Sequence, residues 1–328
     1  MRDDYEIVQH ASPGQVRTII AVPTFRRPDR LRQLLQALVD QGPLDDVLVL
    51  IADNDAPNRQ GVAVAQAVAQ AGYPAPIEVI VVRSPGLCHV RNALFAQSLA
   101  HASANRIAMV DDDEWTQPGW LAALRSVQHR TGAAVVGGPV DPHFAEKAPR
   151  WADQTLIFRP EDRAEGRTSL LYAGNNLLVS VDALRKLDPP WFDPAFDQSG
   201  GEDLDFLCRL RTLGFTFAWA PNARVSEWVG PERARRAWVL RRMWRIGVTD
   251  TMVARKHRLS GTWLPGRACA LFAMRTAALP SALWMRSRRL DIAGQWVKAA
   301  ARLYALAGGG DAIYAAPAPS TEPRRESS

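Results

Sequence analysis

Cysteine is scarce in this 328-residue chain: Cys88, Cys208 and Cys269 are its only three, and they stand far apart. That number and spacing exclude a disulfide framework and a paired-thiolate metal site. Buried free thiols in a reducing cytoplasm are the expectation for all three. The stretch from Met1 to Gln15 has no apolar core of the kind a secretory signal needs, so export is not expected. No uncharged apolar run approaches the roughly 20 residues of a membrane-crossing helix. The fingerprints GxGxxG and GxxxxGK[ST] are missing, which argues against a dinucleotide-binding dehydrogenase and a P-loop enzyme. No RNA- or DNA-binding motif accompanies the basic residues, so nucleic acid is not an expected partner. Internal repeats are absent too.

What remains is an ordinary globular composition, 47% hydrophobic and 23% charged, long enough for one large domain or two smaller ones. The net charge of +6 is unevenly placed. Between Arg233 and Arg302 there are 16 Lys and Arg against two acids, Asp250 and Asp291, a surplus of +14 that leaves the remainder near −8. An acidic front suits a cation and a basic back suits something anionic.

The front alternates strand-like and helix-like segments. The β-branched run Val16 to Val22 is followed by apolar residues at helical spacing, Leu31, Leu34, Leu35 and Leu38, between Pro28 and Gln41. Strands are expected at Asp45–Ile51, Ile77–Val82, Arg106–Val110 and Ala133–Val136, with helices at Val62–Ala71, Val90–Ala100 and Trp120–Thr131 between them. This alternation predicts an α/β fold with a mostly parallel sheet flanked by helices. Residues 138–170 have no clear period and read as a long surface excursion. Strands at Asn175–Ser180 and Phe215–Trp219 and helices at Val181–Leu187 and Leu204–Leu213 follow. From Pro231 the chain reads as helical and basic, and Gly308 to Ser328 as a disordered tail.

Chemistry-bearing residues collect at strand ends. Asp111-Asp112-Asp113 follows the apolar Ile107 to Val110. An isolated acidic triplet fits a solvated turn, but a hard divalent cation would turn its mutual repulsion into a binding site. Open α/β sheets bind ligands at this carboxyl edge. Pro23-Thr24-Phe25-Arg26-Arg27-Pro28 forms a short loop after the first strand. Asp53-Asn54-Asp55 ends the second, where acids serve either as ribose or base contacts or as turn-formers. Arg91, in the segment Gly86 to Asn92, can pair with a nucleotide acceptor, whereas His89 reads as a packed or surface histidine. Gly200-Gly201-Glu202-Asp203 opens a helix: two glycines permit close approach, and two acids stand where they could cap the helix or act as a general base.

The ordered set Val22-Pro23-Thr24-Phe25, Ala52-Asp53-Asn54-Asp55, Arg91-Asn92, Asp111-Asp112-Asp113 and Gly200-Gly201-Glu202-Asp203 resembles family 2 glycosyltransferases of GT-A fold, over about residues 16 to 250. Within the family it looks like bacterial exopolysaccharide glucosyltransferases of the succinoglycan kind, through Asp111 to Glu114, Thr131 to Ala134, Ala148-Pro149-Arg150-Trp151, Ser199 to Asp203, Val229, and Arg233 to Gly247. The resemblance implies a nucleotide-binding half at 16–137 and an acceptor-binding half at 138–230 within a transferase domain at 16–250. A polar extension at 1–15 precedes it and a basic helical region at 251–307 follows. It implies that Pro23, Thr24, Phe25, Arg27, Asp53, Asp55, Arg91, Asp111 and Asp112 bind the nucleotide-sugar, with Asp53 and Arg91 on a uracil base. Asp113 and Asp111, a DXD motif, would hold Mg2+ or Mn2+. Asp203, with Glu202, would be catalytic, and Trp151, Asn175, Asn176 and Gly201 would shape the sugar and acceptor pocket. Where relatives carry a metal-reaching His, this chain has Glu227.

The implied reaction is an inverting displacement from a UDP-sugar, with glucose expected, onto a lipid-linked oligosaccharide hydroxyl in exopolysaccharide or cell-envelope glycan synthesis. Trp238, Trp244, Trp263, Trp284 and Trp296 interleave with arginines in the C-terminal region, and Leu264 to Trp284 is its most apolar stretch. An interfacial helix on the anionic inner face of the cell membrane is the expectation, against a solvated basic bundle. A sugar nucleotidyltransferase would need a Gly-rich phosphate loop, which Thr24 to Pro28 lacks. A catalytically silent membrane scaffold has no use for intact acids at every expected place.

Overall fold

The computed structural model describes residues 4–11, 14–172, 174–259 and 264–309. Trp263, and the expected tail from residue 310 onward, lie outside them. The elements in order are β1 (Tyr5–Gln9), β2 (Thr18–Thr24), α1 (Pro28–Val39), β3 (Val47–Asp53), α2 (Gln60–Gln70), β4 (Ile77–Val82), α3 (Leu87–Ser98), β5 (Arg106–Met109), β6 (Glu114–Thr116), α4 (Trp120–Thr131), β7 (Val135–Gly137), β8 (Val140–Phe144), β9 (Gly166–Thr168), β10 (Leu177–Ser180), α5 (Val181–Arg185), α6 (Glu202–Thr212), β11 (Phe217–Trp219), β12 (Val225–Val229), α7 (Arg236–Lys256), α8 (Leu264–Ala278), α9 (Ser281–Trp284) and α10 (Arg289–Leu306).

A nine-stranded sheet runs β1-β4-β3-β2-β5-β10-β7-β11-β9. Its centre, β4-β3-β2-β5, is parallel, as are β7 and β11, while β1, β10 and β9 run against their neighbours. Both faces are covered, and successive residues of β2 show it. Ile19 and Ala21 pack with α3 and α6, whereas Ile20 and Val22 pack with α1, α2 and α4. Leu31, Leu34, Leu35 and Leu38 of α1 are fully buried. Such burial contributes about 1.5–3 kcal/mol per leucine, which anchors the helix directly after the β2 loop.

The reversal of β10 matters for the site. Leu177 pairs with both Met109 and Gly137, so the chain just before β10 lies at the edge where β5 and β7 end. The same edge receives Thr24 and Asp53, which are paired in register. A smaller sheet, β6-β12-β8, flanks it and sets Glu227 opposite Glu114.

Several features were not legible in advance. Tyr5–Gln9, expected as polar extension, is an edge strand on β4. The stretch read as a surface excursion supplies β8 and β9. Cys88 and Cys208 are buried as expected, but Cys269 is exposed on α8. In the C-terminal region α7 packs along α10, and Gly247 makes the approach possible. A Cβ there would stand 2.4 Å from the Lys298 carbonyl oxygen and 2.7 Å from Ala301 Cβ. Of the tryptophans described there, Trp238 stacks on Phe158, Trp244 meets Tyr304 and Trp296 meets Phe272. Trp284 alone of these is 87% exposed.

Candidate active site

A cleft of about 500 Å³ opens over the carboxyl edge, lined by the β2 loop from Pro23 to Arg27, the turn Pro85 to Leu87, Asp111 to Asp113, Asn54, Val90 and Glu227. The apolar run of β5 drives the chain through the core and delivers the three acids to this edge. In the turn that follows β5 their roles separate. Asp112 turns inward. Its Oδ2 accepts from Thr24 Oγ1 at 2.8 Å and from the Phe25 amide at 3.3 Å, and its Oδ1 accepts from Arg27 Nη1 at 2.8 Å. It therefore clamps the β2 loop instead of presenting a free carboxylate to a nucleotide.

Asp111 and Asp113 face the cleft. Asp113 meets Arg27 at 3.0 Å and Arg233 at 3.9 Å. Burial and the neighbouring Asp111, opposed by Arg27 but reinforced by Glu227 and Asp112, push the Asp113 carboxyl up to about 6. Glu227, on β12, lines the same cleft and accepts from Arg233 at 2.6 Å. Glu114 is buried behind the acids. It accepts from the Asp111 amide at 2.9 Å and from Asn175 Nδ2 at 2.5 Å, and burial pushes its carboxyl well above the usual range.

Other expected ligands are engaged within the protein. Asp53 is fully buried, accepting from the amides of Asp55 and Val62, so it ties the end of β3 to the start of α2 and does not line the cleft. Asp55 accepts both bonds from Asn58 and pairs with Arg26 at 3.2 Å. Asn176 is equally enclosed: its amide accepts from Trp120 Nε1 and donates to the carbonyls of Pro139 and Ala223. Trp151, expected in the acceptor pocket, joins the apolar cluster of Phe158 and Met243 and lies under Arg236.

Arg91 is not a cleft-lining base contact. Only 3% of its side chain is exposed, and it bonds Glu202 Oε1 at 3.0 Å and Asp111 Oδ1 at 3.4 Å. Burial opposes its charge, but Asp111, Glu202 and Asp203 outweigh it and raise its pKa. Glu202 also lines a second, polar cleft of about 260 Å³, together with Asp197, Ser199, Gly200, Gly201, Asp203, Arg242, Arg245, Ile246 and Thr249. Gly201 caps α6 at φ 98°, a left-handed conformation that favours glycine. Asp203 follows on the first turn, where Oδ2 accepts from the Gly174 amide at 2.9 Å and Oδ1 from the Leu204 amide at 2.7 Å. Each oxygen keeps a lone pair for a further donor.

Asn54, Leu87 and Val90 of the larger cleft, and Arg242 and Arg245 of the smaller, stand inside stretches noted from sequence but were given no role there; Pro85, Asp197 and Thr249 were not singled out. For the arginines the signal was present, as charge on the first helix after the transferase motifs.

The family model described as Glycosyl transferase family 2 matches residues 19–188, and that for Glycosyl transferase family group 2 matches residues 107–307. The chain belongs to glycosyl transferase family 2. A curated relative, Succinoglycan biosynthesis protein ExoM of Rhizobium meliloti (strain 1021), is 32% identical over 254 residues, covering 74% of this chain and 78% of the relative. Among solved structures, mannosyltransferase PcManGT from Pyrobaculum calidifontis, in complex with GDP-Man and Mn2+, superposes with a TM-score of 0.58 at 16% identity, covering 92% of each chain. S. aureus TarS in complex with UDP-GlcNAc gives 0.50 at 16% identity, covering 89% of this chain and 92% of that one. These structures establish the GT-A fold. In this glycosyltransferase Arg91 links the two clefts, bonding Asp111 of the larger and Glu202 of the smaller.

Among the described residues, no group of three His, Cys, Asp or Glu side chains is arranged to hold a metal. The donor set still suits a cation of the Mg2+ type, which is held by one or two carboxylates together with substrate phosphates. Asp111 and Asp113 supply two such carboxylates, and their repulsion is what a cation would relieve.

Proposed function

We propose that this glycosyltransferase moves a sugar from a UDP-sugar to a hydroxyl of a lipid-linked oligosaccharide, with inversion, in exopolysaccharide or cell-envelope glycan synthesis. The observation that carries the reading is the division of carboxylates between the clefts. Asp111 and Asp113 line the larger and Asp203 the smaller, and Arg91 bonds an acid of each. The larger cleft is the donor side. Pro23, Phe25, Leu87 and Val90 offer apolar surface to a base and ribose, and Arg27 offers a guanidinium to the diphosphate. Asp111 and Asp113 would hold Mg2+ or Mn2+, whose chemistry is to neutralise charge growing on the departing diphosphate.

Asp203 is the base. Its carboxylate takes the acceptor hydroxyl proton as that oxygen bonds the anomeric carbon and the bond to the diphosphate oxygen breaks. One base opposite one leaving group gives a single in-line displacement, so an α-linked donor yields a β-linked product. Glucose is the expected sugar, in keeping with the relationship to a succinoglycan biosynthesis protein.

The C-terminal helices carry the protein to the inner face of the membrane. Met274, Leu283, Trp284 and Met285 are exposed on α8 and just beyond it, with Arg275, Arg288 and Arg289 nearby in the chain. No helix among the described residues is long and apolar enough to cross a membrane, so an interfacial seat suits this apolar and basic surface.

Asp203→Asn tests the base. Proton transfer by a positioned group contributes about 10²–10⁴-fold, so turnover should fall by that range while UDP binding stays as in the wild type. Unchanged turnover would remove Asp203 from the mechanism.

A further inference from the structure

Arg242 and Arg245 stand one helical turn apart on α7 and both line the smaller cleft, beside Asp203. Arg242 keeps part of its surface exposed and makes no hydrogen bond or ion pair with any described residue. Burial and then the like charge of Arg233 hold its pKa below the usual value, while Asp203, Glu227 and Glu202 lie within electrostatic reach.

Three carboxylates also line this cleft, and each has donors of its own. Glu202 is paired with buried Arg91, Asp203 accepts from two backbone amides, and Asp197 accepts from the Cys88 amide at 2.8 Å with His89 Nε2 at 3.8 Å. The guanidinium of Arg242 is therefore available to a ligand. Ser199 and Thr249 place small hydroxyl side chains around the same space, which suits a polar, hydrated ligand.

We propose that the smaller cleft is an anion-reading acceptor subsite, in which Arg242 recognises a carboxylate or phosphate carried close to the hydroxyl that is glycosylated. The proposal rests on the reading of this cleft as the acceptor side. It adds a requirement that the transferase reading lacks: a neutral acceptor fragment binds worse than an anionic one of the same size. A planar, two-pronged guanidinium suits both carboxylate and phosphate. The anion could come from an acidic sugar or from the phosphate of a lipid carrier.

The test uses the full chain and saturation-transfer NMR with three probes: methyl glucoside, glucuronate and glucose 1-phosphate. UDP is titrated into the same samples. At least one anionic probe should bind about 10- to 100-fold more tightly than methyl glucoside, the gain a charge-assisted hydrogen bond provides. Arg242→Gln should abolish that gain and Arg242→Lys should restore part of it, with UDP affinity unchanged in both. A preference for glucuronate supports the subsite with an acidic sugar as its source, and a preference for glucose 1-phosphate supports it with a phosphate carrier. Equal binding of all three probes, a gain that survives Arg242→Gln, or loss of UDP binding in that variant would each overturn the proposal. If UDP fails to bind the wild type while the anion preference persists, the donor assignment falls and the subsite stands.

Discussion

Arg91→Met should destabilise the protein in a pH-dependent way that a surface arginine would not show. Arg91 Nη1 bonds Glu202 Oε1 at 3.0 Å, with 3% and 11% of the two side chains exposed. Removing one member of a buried pair leaves the other uncompensated, at a cost of about 3–5 kcal/mol. Glu202 has an escape. Burial, and then Asp203, already raise its pKa, and without Arg91 it rises further, so the carboxyl can take a proton. That puts the penalty near the lower end, about 3 kcal/mol near neutral pH. At about 2–4 °C per kcal/mol for a domain of this size, the melting temperature should fall by about 6–12 °C.

The sign follows from linkage. A carboxyl whose folded pKa is raised binds its proton more tightly when folded, so folding is favoured below the ordinary carboxylate pKa and penalised as pH rises above it. Thermal unfolding between pH 5 and pH 7.5 should therefore show the Arg91→Met deficit widening with pH. Adding Glu202→Gln should recover part of the loss at the upper end, because the uncompensated Glu202 charge is then gone. A deficit that shrinks as pH rises, or a double variant no more stable than Arg91→Met alone, would refute the reasoning.

Two further outcomes follow from other parts of the fold. Burial pushes the Glu78 carboxyl up, but hydrogen bonds from His101 and Gln97 outweigh it and leave its pKa below the usual value. Its stabilising contribution is present above the ordinary carboxylate pKa and lost as pH falls through the folded value. Denaturant titrations should accordingly show a shallower acid-side loss of stability in Glu78→Gln, and an unchanged acid limb would count against the linkage. At the C-terminal helices, Leu283→Ser with Trp284→Ser should weaken sedimentation with anionic vesicles without lowering the melting temperature, since these side chains are 70% and 87% exposed. Equal vesicle binding would argue that the apolar surface serves another partner.

The fold was legible where local pattern and tertiary role coincide. The helix expected at Trp120–Thr131 has those bounds, because one face of evenly spaced apolar residues meets one sheet face. β1, β6, β8, β9 and β12 were missed, being three to five residues long and fixed by partners distant in sequence. The reversal of β10 has no local signature either. The site was legible as a set of acids at strand ends, but sequence does not reveal which carboxylates the protein itself engages. Asp53 and Asp112 are engaged by backbone and side-chain donors that fix loops, whereas Asp111 and Asp113, though paired with Arg91 and with Arg27, still line the cleft. Glu202 and Arg91 looked like ligands because paired buried charges and ligand-binding charges share the same residue types. Arg242 drew no separate notice because basic residues surround it in the chain.

Isothermal titration of UDP into the wild type and Asp113→Asn, each with Mn2+ or with chelator, tests the donor cleft most directly. Mn2+ should tighten wild-type UDP binding by about tenfold or more, equivalent to about 1.4 kcal/mol, and Asp113→Asn should erase that gain while leaving metal-free binding unchanged. Equal wild-type affinity with and without Mn2+, or a gain that persists in Asp113→Asn, would contradict the assignment of Asp113 as the carboxylate that joins cation and diphosphate.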